Sequence, residues 1–147
     1  MRNGVGIKIK KVQSLIRKSV HDSETFKSNE DLTNVIGWTI GLISRRNNEG
    51  IETFQKDIER EFKISRSTAT GLLQNMEKLG YLYREVSETD SRLKRIVLTE
   101  KSIELNKKVL NTFDQIEQQL LIGFSIEEKK QLLEFLERLE KNLERGK

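Results

Sequence analysis

A mainly α-helical fold carrying one small β-hairpin is the class this sequence predicts, and three observations predict it. Apolar residues recur every three to four positions through most of the chain, the period of a helix with one buried face. Residues 81–98 alone switch to apolar–polar alternation around a polar tip. The 147 residues contain no proline, so nothing forbids long uninterrupted helices. The length suits one domain with a real core, and the chain is read as a single domain over 1–147. Hydrophobic residues make up 35% and charged residues 34%, the balance of helices that bury a stripe and solvate the rest.

Ile9, Val12, Ile16 and Val20 predict a first helix over about 7–20. His21 to Glu30 is polar and reads as a loop around Phe26. A second helix is expected over Leu32–Arg46, stopped by Asn47-Asn48-Glu49-Gly50. Gly37 and Gly41 lie one turn apart inside it, where each costs about 1 kcal/mol relative to alanine. Close helix–helix packing is the favoured reason for them; the other is room for a ligand in a cleft beside Trp38.

A short helix follows over Phe54–Phe62, with Thr53 as its N-cap. Lys63-Ile64 links it tightly to a helix over about Arg66–Leu79, capped by Ser65 and ended by Gly80. Ala69, Leu72, Leu73, Met76 and Leu79 form the buried face of that helix. Tyr81–Val86 and Arg92–Leu98 read as two strands around the tip Ser87–Ser91. Thr99 caps a long helix to about Gly123, striped by Val109, Phe113, Ile116, Leu120 and Phe124. Ser125-Ile126-Glu127-Glu128 has capping-box spacing and opens a last helix. In it Leu132, Leu136, Leu139 and Leu143 make a coiled-coil-like seam, for about six helices in all.

Several functions are set aside by composition. Without cysteine there are no disulfides and no thiol redox sensing. His21 is the only histidine, so no transition-metal site and no cofactor are expected. No nucleophile–base–orienter set and no phosphate-binding glycine loop is visible, so the chain is not read as an enzyme. Asp57, Glu59 and Glu61 are read as helix-surface charge. No apolar run reaches membrane length. The N-terminus carries Arg2, Lys8, Lys10, Lys11, Arg17 and Lys18 and lacks a signal-peptide core, so a soluble cytoplasmic protein with no membrane partner is expected.

The net charge of +4 suits a polyanionic partner. Residues 1–50 hold nine basic and five acidic side chains, whereas the rest of the chain is balanced. Bulk charge therefore says little, and local placement must carry the argument. Helix, short link, helix and hairpin, in that order, form a winged helix-turn-helix pattern over 51–99. The second helix turns Arg66, Ser67, Thr70, Gly71, Gln74, Asn75 and Lys78 away from its apolar face. Hydroxyl and amide groups there can read base edges in a major groove; the other reading is an ordinary solvated face. Arg92, Lys94 and Arg95 give the hairpin a basic tip that suits a minor groove.

At this point the sequence resembles the MarR family. Ser65 through Gly80 is similar to that family's recognition helix, and Asp90-Ser91-Arg92-Leu93-Lys94-Arg95-Ile96-Val97-Leu98-Thr99 to its wing signature. The resemblance implies a triangular homodimer, its winged lobes over 51–99 and its dimerisation helices over 1–31 and 100–147. It implies a DNA-binding transcription regulator, a repressor first of all, on a palindromic operator, modulated by a small-molecule effector. The rival reading is a winged-helix module for protein contact or architecture. The DNA-binding set becomes Thr53, Arg66, Ser67, Thr68, Thr70, Gln74, Asn75, Lys78, Arg92, Lys94 and Arg95. The resemblance sends Arg92 into the minor groove and gives Asp90 the task of orienting it. Dimerisation is placed on the Val109–Phe124 and Leu132–Leu143 stripes, which offer more apolar surface than a small lobe can cover.

Overall fold

Local caps and turns divide the chain much as its periodicities suggest. The computed structural model describes residues 3–146; Met1, Arg2 with its charge, and Lys147 lie outside the described residues. The elements run α1 (Val5–Asp22), α2 (Glu24–Lys27), α3 (Asn34–Asn48), α4 (Gln55–Phe62), α5 (Arg66–Lys78), β1 (Leu82–Val86), β2 (Lys94–Leu98), α6 (Glu100–Leu120) and α7 (Ile126–Arg145). Among the described residues seven helices stand where about six were expected. The extra one is α2, a single turn inside the expected loop, closed by Ser28 N donating to Glu24 O at 2.8 Å. Phe26 on that turn packs against the core.

Two compact units are present, one ending at Phe113 and one beginning at Asp114. The first holds the core. Ile36, Ile40 and Ile43 of α3 meet Ile58 of α4, Leu73 and Met76 of α5, and Tyr81, Leu82, Ile96 and Leu98 of the hairpin. Leu105 and Val109 of α6 complete the cluster. Val109 is 4% exposed, so it is removed from the expected dimerisation stripe: its surface is already covered by its own chain. Phe113, one turn on, also packs on this cluster.

Turn chemistry sets the angles between elements. Thr33 Oγ1 accepts from Ile36 N and caps α3. Lys63 at the end of α4 takes a left-handed conformation (φ 52°, ψ 47°), which swings the chain sharply into α5. Ser65 then caps α5 through Thr68 N at 3.2 Å. Gly80, at φ +80°, ends α5 and turns the chain into the hairpin. Thr53 does not cap α4. The cap is Phe54, whose N–H donates to Asp57 Oδ2 at 2.8 Å. Thr53 is 1% exposed: its hydroxyl accepts from Arg46 Nε, and its carbonyl accepts from Ile96 N at 2.7 Å.

The two glycines of α3 are not explained by close packing within the chain. A Cβ on Gly37 would meet only Leu32 Cδ1 at 3.9 Å, and one on Gly41 only Asn106 Oδ1 at 4.0 Å. Helix α1 buries Val20 alone and leaves Val5, Ile7, Ile9, Val12 and Leu15 exposed. In the second unit, the Ser125 and Glu128 capping box opens α7. Lys129 pairs with Glu117 at 2.9 Å. Leu132 is half-buried, while Leu136, Leu139 and Leu143 are exposed and α7 buries no residue.

Leu73 is fully buried and anchors α5 on the core. Leu73→Ala should cost about 2–5 kcal/mol, seen as a lower urea midpoint at unchanged slope. A cost below about 1 kcal/mol would show that α5 is not seated as described.

Candidate nucleic-acid interface

The crossing of α4 and α5 aims one polar helix face outward. Arg66, Ser67, Thr68, Gly71, Gln74, Asn75 and Lys78 are exposed along α5, opposite the buried Ala69, Leu73 and Met76. Thr70 differs. It is half-buried, donates to Arg66 O at 2.8 Å and accepts from Gln55 Nε2 at 2.9 Å. Its proton is therefore committed, and Gln55 fastens the first turn of α4 to α5. Ser67 and Thr68 share hydroxyl contacts with the Ser65 cap at 3.2 and 2.9 Å. Gln74 and Asn75 present their amide groups in the middle of the face, each with paired donor and acceptor atoms. The start of the helix adds outward N–H groups and a positive dipole end.

The hairpin stands beside this face. Its register pairs Leu82 with Leu98, Glu85 with Arg95 and Val86 with Lys94. At the tip, Asp90 Oδ1 accepts from Arg92 N at 3.0 Å and Arg92 Nε at 3.1 Å, and Asp90 Oδ2 from Arg92 Nη2 at 3.0 Å. A two-pronged pair of this kind fixes the direction of the guanidinium. The Arg92 side chain still stays 86% exposed. Lys94 is exposed as well.

Arg95 is a correction. It was expected at the DNA, but its cross-strand register places it against Glu85, with Glu88 at 3.3 Å and Glu52 at 3.6 Å. Three carboxylates surround it, and it holds the wing together. Thr53 is the second correction in this set, since its burial keeps it from any ligand. Between α4, α5 and the hairpin lies an open groove of about 1000 Å³. Lys56, Arg60, Arg66, Arg84 and Lys94 line it alongside Asp57, Glu59 and Glu77. Arg84 Nε is a buried nitrogen without an acceptor among the described residues. Gln55, Lys56 and Arg84 went unnoticed in the sequence, because only the folded groove shows that α4 and β1 share a wall.

A family sequence model described as MarR family matches residues 38–93, which span α3 through the wing tip. A crystal structure of the transcription regulator MarR from Oenococcus oeni PSU-1 is similar over 94% of this chain and 99% of its own, at 36% identity and a TM-score of 0.68. The chain belongs to the MarR family. Among its MarR-type neighbours is S. aureus MepR in complex with DNA, with 28% identity over 95% of this chain and 96% of that one, and a TM-score of 0.75. MepR bound to ethidium bromide is another, with 25% identity over 97% and 98% of the chains and a TM-score of 0.68. No curated protein sequence gave a match.

In this MarR lobe a second concavity of about 530 Å³ lies between α3, the end of α4 and α6. Gly37, Trp38, Gly41, Leu42, Phe62, Leu110 and Phe113 line it, with Arg45 and Glu61 3.8 Å apart beside them. Trp38 is 61% exposed. The expected cleft residue thus lies in a real depression, and the two glycines of α3 are part of its wall. Among the described residues no helix is long and apolar enough to cross a membrane.

Two carboxylates, Glu52 against the wing and Asp90 in its tip, are held below their ordinary pKa. For Glu52 the first cause is the Ser87 hydroxyl, then the Glu88 amide; for Asp90 it is the Arg92 side chain, then the Arg92 amide. Arg92 is raised by the same pair. A depressed carboxylate contributes stability that is complete above its unfolded pKa and is lost as pH falls through the lower folded value. The Glu88 and Arg92 amide resonances should therefore titrate with midpoints below about 4.3 and 3.9 respectively, the ordinary Glu and Asp values. Midpoints at or above those values would mean that the carboxylates do not hold these amides in solution.

Proposed function

We propose that this chain is a sequence-specific, DNA-binding transcription repressor, acting as a homodimer on an inverted-repeat operator and released by a small-molecule effector. The observation that carries the reading is the pairing of an exposed amide- and hydroxyl-bearing α5 face with an exposed Arg92 whose direction Asp90 fixes. The first offers base-edge readout in a major groove, with Gln74 and Asn75 matched to adenine. The second offers a cation to an adjacent minor groove, where narrow A/T-rich sequence concentrates negative potential. Arg66, Lys78 and Lys94 suit phosphates, which position the lobe without reading sequence. The DNA complex of MepR supports this assignment.

Dimerisation is supported by the apolar surface left on the helices outside the lobe. Val5, Leu15, Phe135 and Leu143 are each more than half exposed, and Leu136 and Leu139 are 37% exposed. Apolar surface of this extent on helices rimmed by charge marks an association face. Ile116, Leu120, Phe124, Leu132, Leu136, Leu139 and Leu143 remain the candidates, joined by the exposed residues of α1. Effector binding is supported by the cleft beside Trp38 and by the ethidium complex of MepR.

Leu136→Glu together with Leu139→Glu should give monomers or aggregates that no longer bind operator DNA, whereas the wild type sediments as a dimer at micromolar concentration. Footprinting should reveal two inverted half-sites about 10 bp apart or a multiple of it. A wild type of monomer mass, or a single asymmetric half-site, would overturn the dimer.

Gln74→Ala or Asn75→Ala should cost about 1–3 kcal/mol of specific binding and relax preference at one position per half-site. Arg92→Ala should instead weaken specific and non-specific binding together and flatten the log–log salt dependence by about one unit per arm. Asp90→Ala should also weaken binding, although it deletes a negative charge near DNA. If Asp90→Ala binds more tightly than wild type, Asp90 does not orient Arg92.

A further inference from the structure

The wing does not hold its tip alone. The residues from Ser87 to Leu93 turn back on each other through Ser87 N to Leu93 O and Leu93 N to Asp90 O, at 2.9 and 3.0 Å. A further tether comes from elsewhere. Glu52 lies in the connection between α3 and α4, 35 residues before Ser87 in the chain. Its carboxylate accepts from the Ser87 hydroxyl, from the Glu88 amide at 2.9 Å and from the Thr89 hydroxyl at 3.0 Å. Ser87 Oγ in turn accepts from the amides of Thr89 and Asp90 at 3.1 and 3.2 Å. The line from Glu52 through Ser87 therefore ends on Asp90, the residue that grips Arg92.

Glu52 is itself held. Arg46 Nη2 donates to the Glu52 carbonyl at 2.9 Å, and Arg46 Nε to Thr53 Oγ1 at 3.2 Å. The next link, Ile96 N to Thr53 O, lays this segment along β2. The Glu52 side chain is 16% exposed, so solvent competes little for its lone pairs. Among the described residues the Glu52 carboxylate makes no hydrogen bond or ion pair to α5, and as an anion it has nothing to offer DNA directly.

From this geometry we infer that Glu52 is a positioning residue for DNA binding, setting the Ser87–Arg92 tip so that Arg92 is presented at a fixed place beside α5. The inference rests on the DNA-binding reading above. It assigns a role in binding to an acidic residue that lies outside the hairpin. It also predicts how that role fails: losing the carboxylate frees the tip, and the cost appears only through Arg92.

The test uses the 147-residue chain and two probes, a duplex selected by the wild-type protein from a random pool and a mixed-sequence duplex of about 30 bp, three helical turns. Glu52→Gln keeps the shape but turns an amide donor towards the three tip donors. It should weaken binding to both duplexes at least about fivefold and flatten the salt slope as Arg92→Ala does. In an Arg92→Ala background the same change should cost less than about twofold, because the group it positions is gone. Thr89→Val, which removes one of the three donors, should act in the same direction and more weakly. Amide exchange at Thr89 and Asp90 should speed up in Glu52→Gln while Leu73 and Met76 of α5 stay protected. Glu52→Gln binding like wild type would overturn the inference, and so would an equal loss with and without Arg92. If the wild type selects no duplex from the pool and does not bind the mixed-sequence one, the DNA reading fails on its own, and amide exchange still decides whether Glu52 holds the tip: faster exchange upholds that hold and unchanged exchange removes it.

Discussion

The Arg46 guanidinium reaches acceptors that belong to different parts of the lobe. It meets Thr53 Oγ1 at 3.2 Å and the Glu52 carbonyl at 2.9 Å in the connecting segment, and Asp57 Oδ2 at 3.2 Å in α4. Its side chain is 19% exposed and that of Asp57 12%. Removing Arg46 would take the shared donor from all three acceptors at once, with Asp57 left to Arg60 at 2.7 Å. Every element of the proposed interface is hung from this corner. Asp57 caps α4 through Phe54 N, α4 fixes the crossing to α5, and Thr53 lies along β2. The apolar core supplies most of the driving force, but it is non-directional. The Arg46 corner supplies the direction.

Charge in the lobe is sorted by partner rather than by number. The middle third of the sequence balances nine basic residues against nine acidic ones, yet the sides it presents are unequal. Arg95 is enclosed by Glu52, Glu85 and Glu88, which neutralise it beside the tip end of the hairpin ladder. Arg60 is drawn to Asp57 at 2.7 Å. The cations left outward for a partner include Lys56 on α4, Arg66 and Lys78 on α5, and Arg92 and Lys94 on the wing. Exposed cations of this kind act at long range on a polyanion, while the enclosed acids hold the scaffold at short range.

Much of this was legible in the sequence where the signal is local. Ser65, Gly80 and Ser125 mark helix ends by chemistry that depends on three or four neighbours, and all three stand where expected. The alternation of Ile96 and Leu98 placed β2, which begins at Lys94 rather than at the expected Arg92. What was missed depends on contacts between distant segments. Thr53 has the composition of an N-cap, but Arg46 and β2 draw it inward and the cap moves to Phe54. Arg95 reads as one of three basic tip residues until the strand register sets it opposite Glu85. Val109 shares a stripe with Phe113 and Ile116, and periodicity cannot say at which turn the stripe leaves its own core. Helix α2 is a single turn, too short to produce a period.

The dependence of the hairpin tip on Glu52 also bears on how such lobes can diverge or be recombined. A wing held only by its own turn would be a cassette, exchangeable between proteins along with whatever sequence preference it carries. Here the exchangeable unit is larger and discontinuous. Transplanting residues 82–98 into another lobe would carry Asp90 and Arg92 but leave behind the carboxylate that receives Ser87, Glu88 and Thr89, and the arginine that steadies it. Substitutions at positions 46, 52, 87 and 89 therefore act on one hydrogen-bonded network. Changes in the wing can accumulate freely only where they leave those three donors facing the acid.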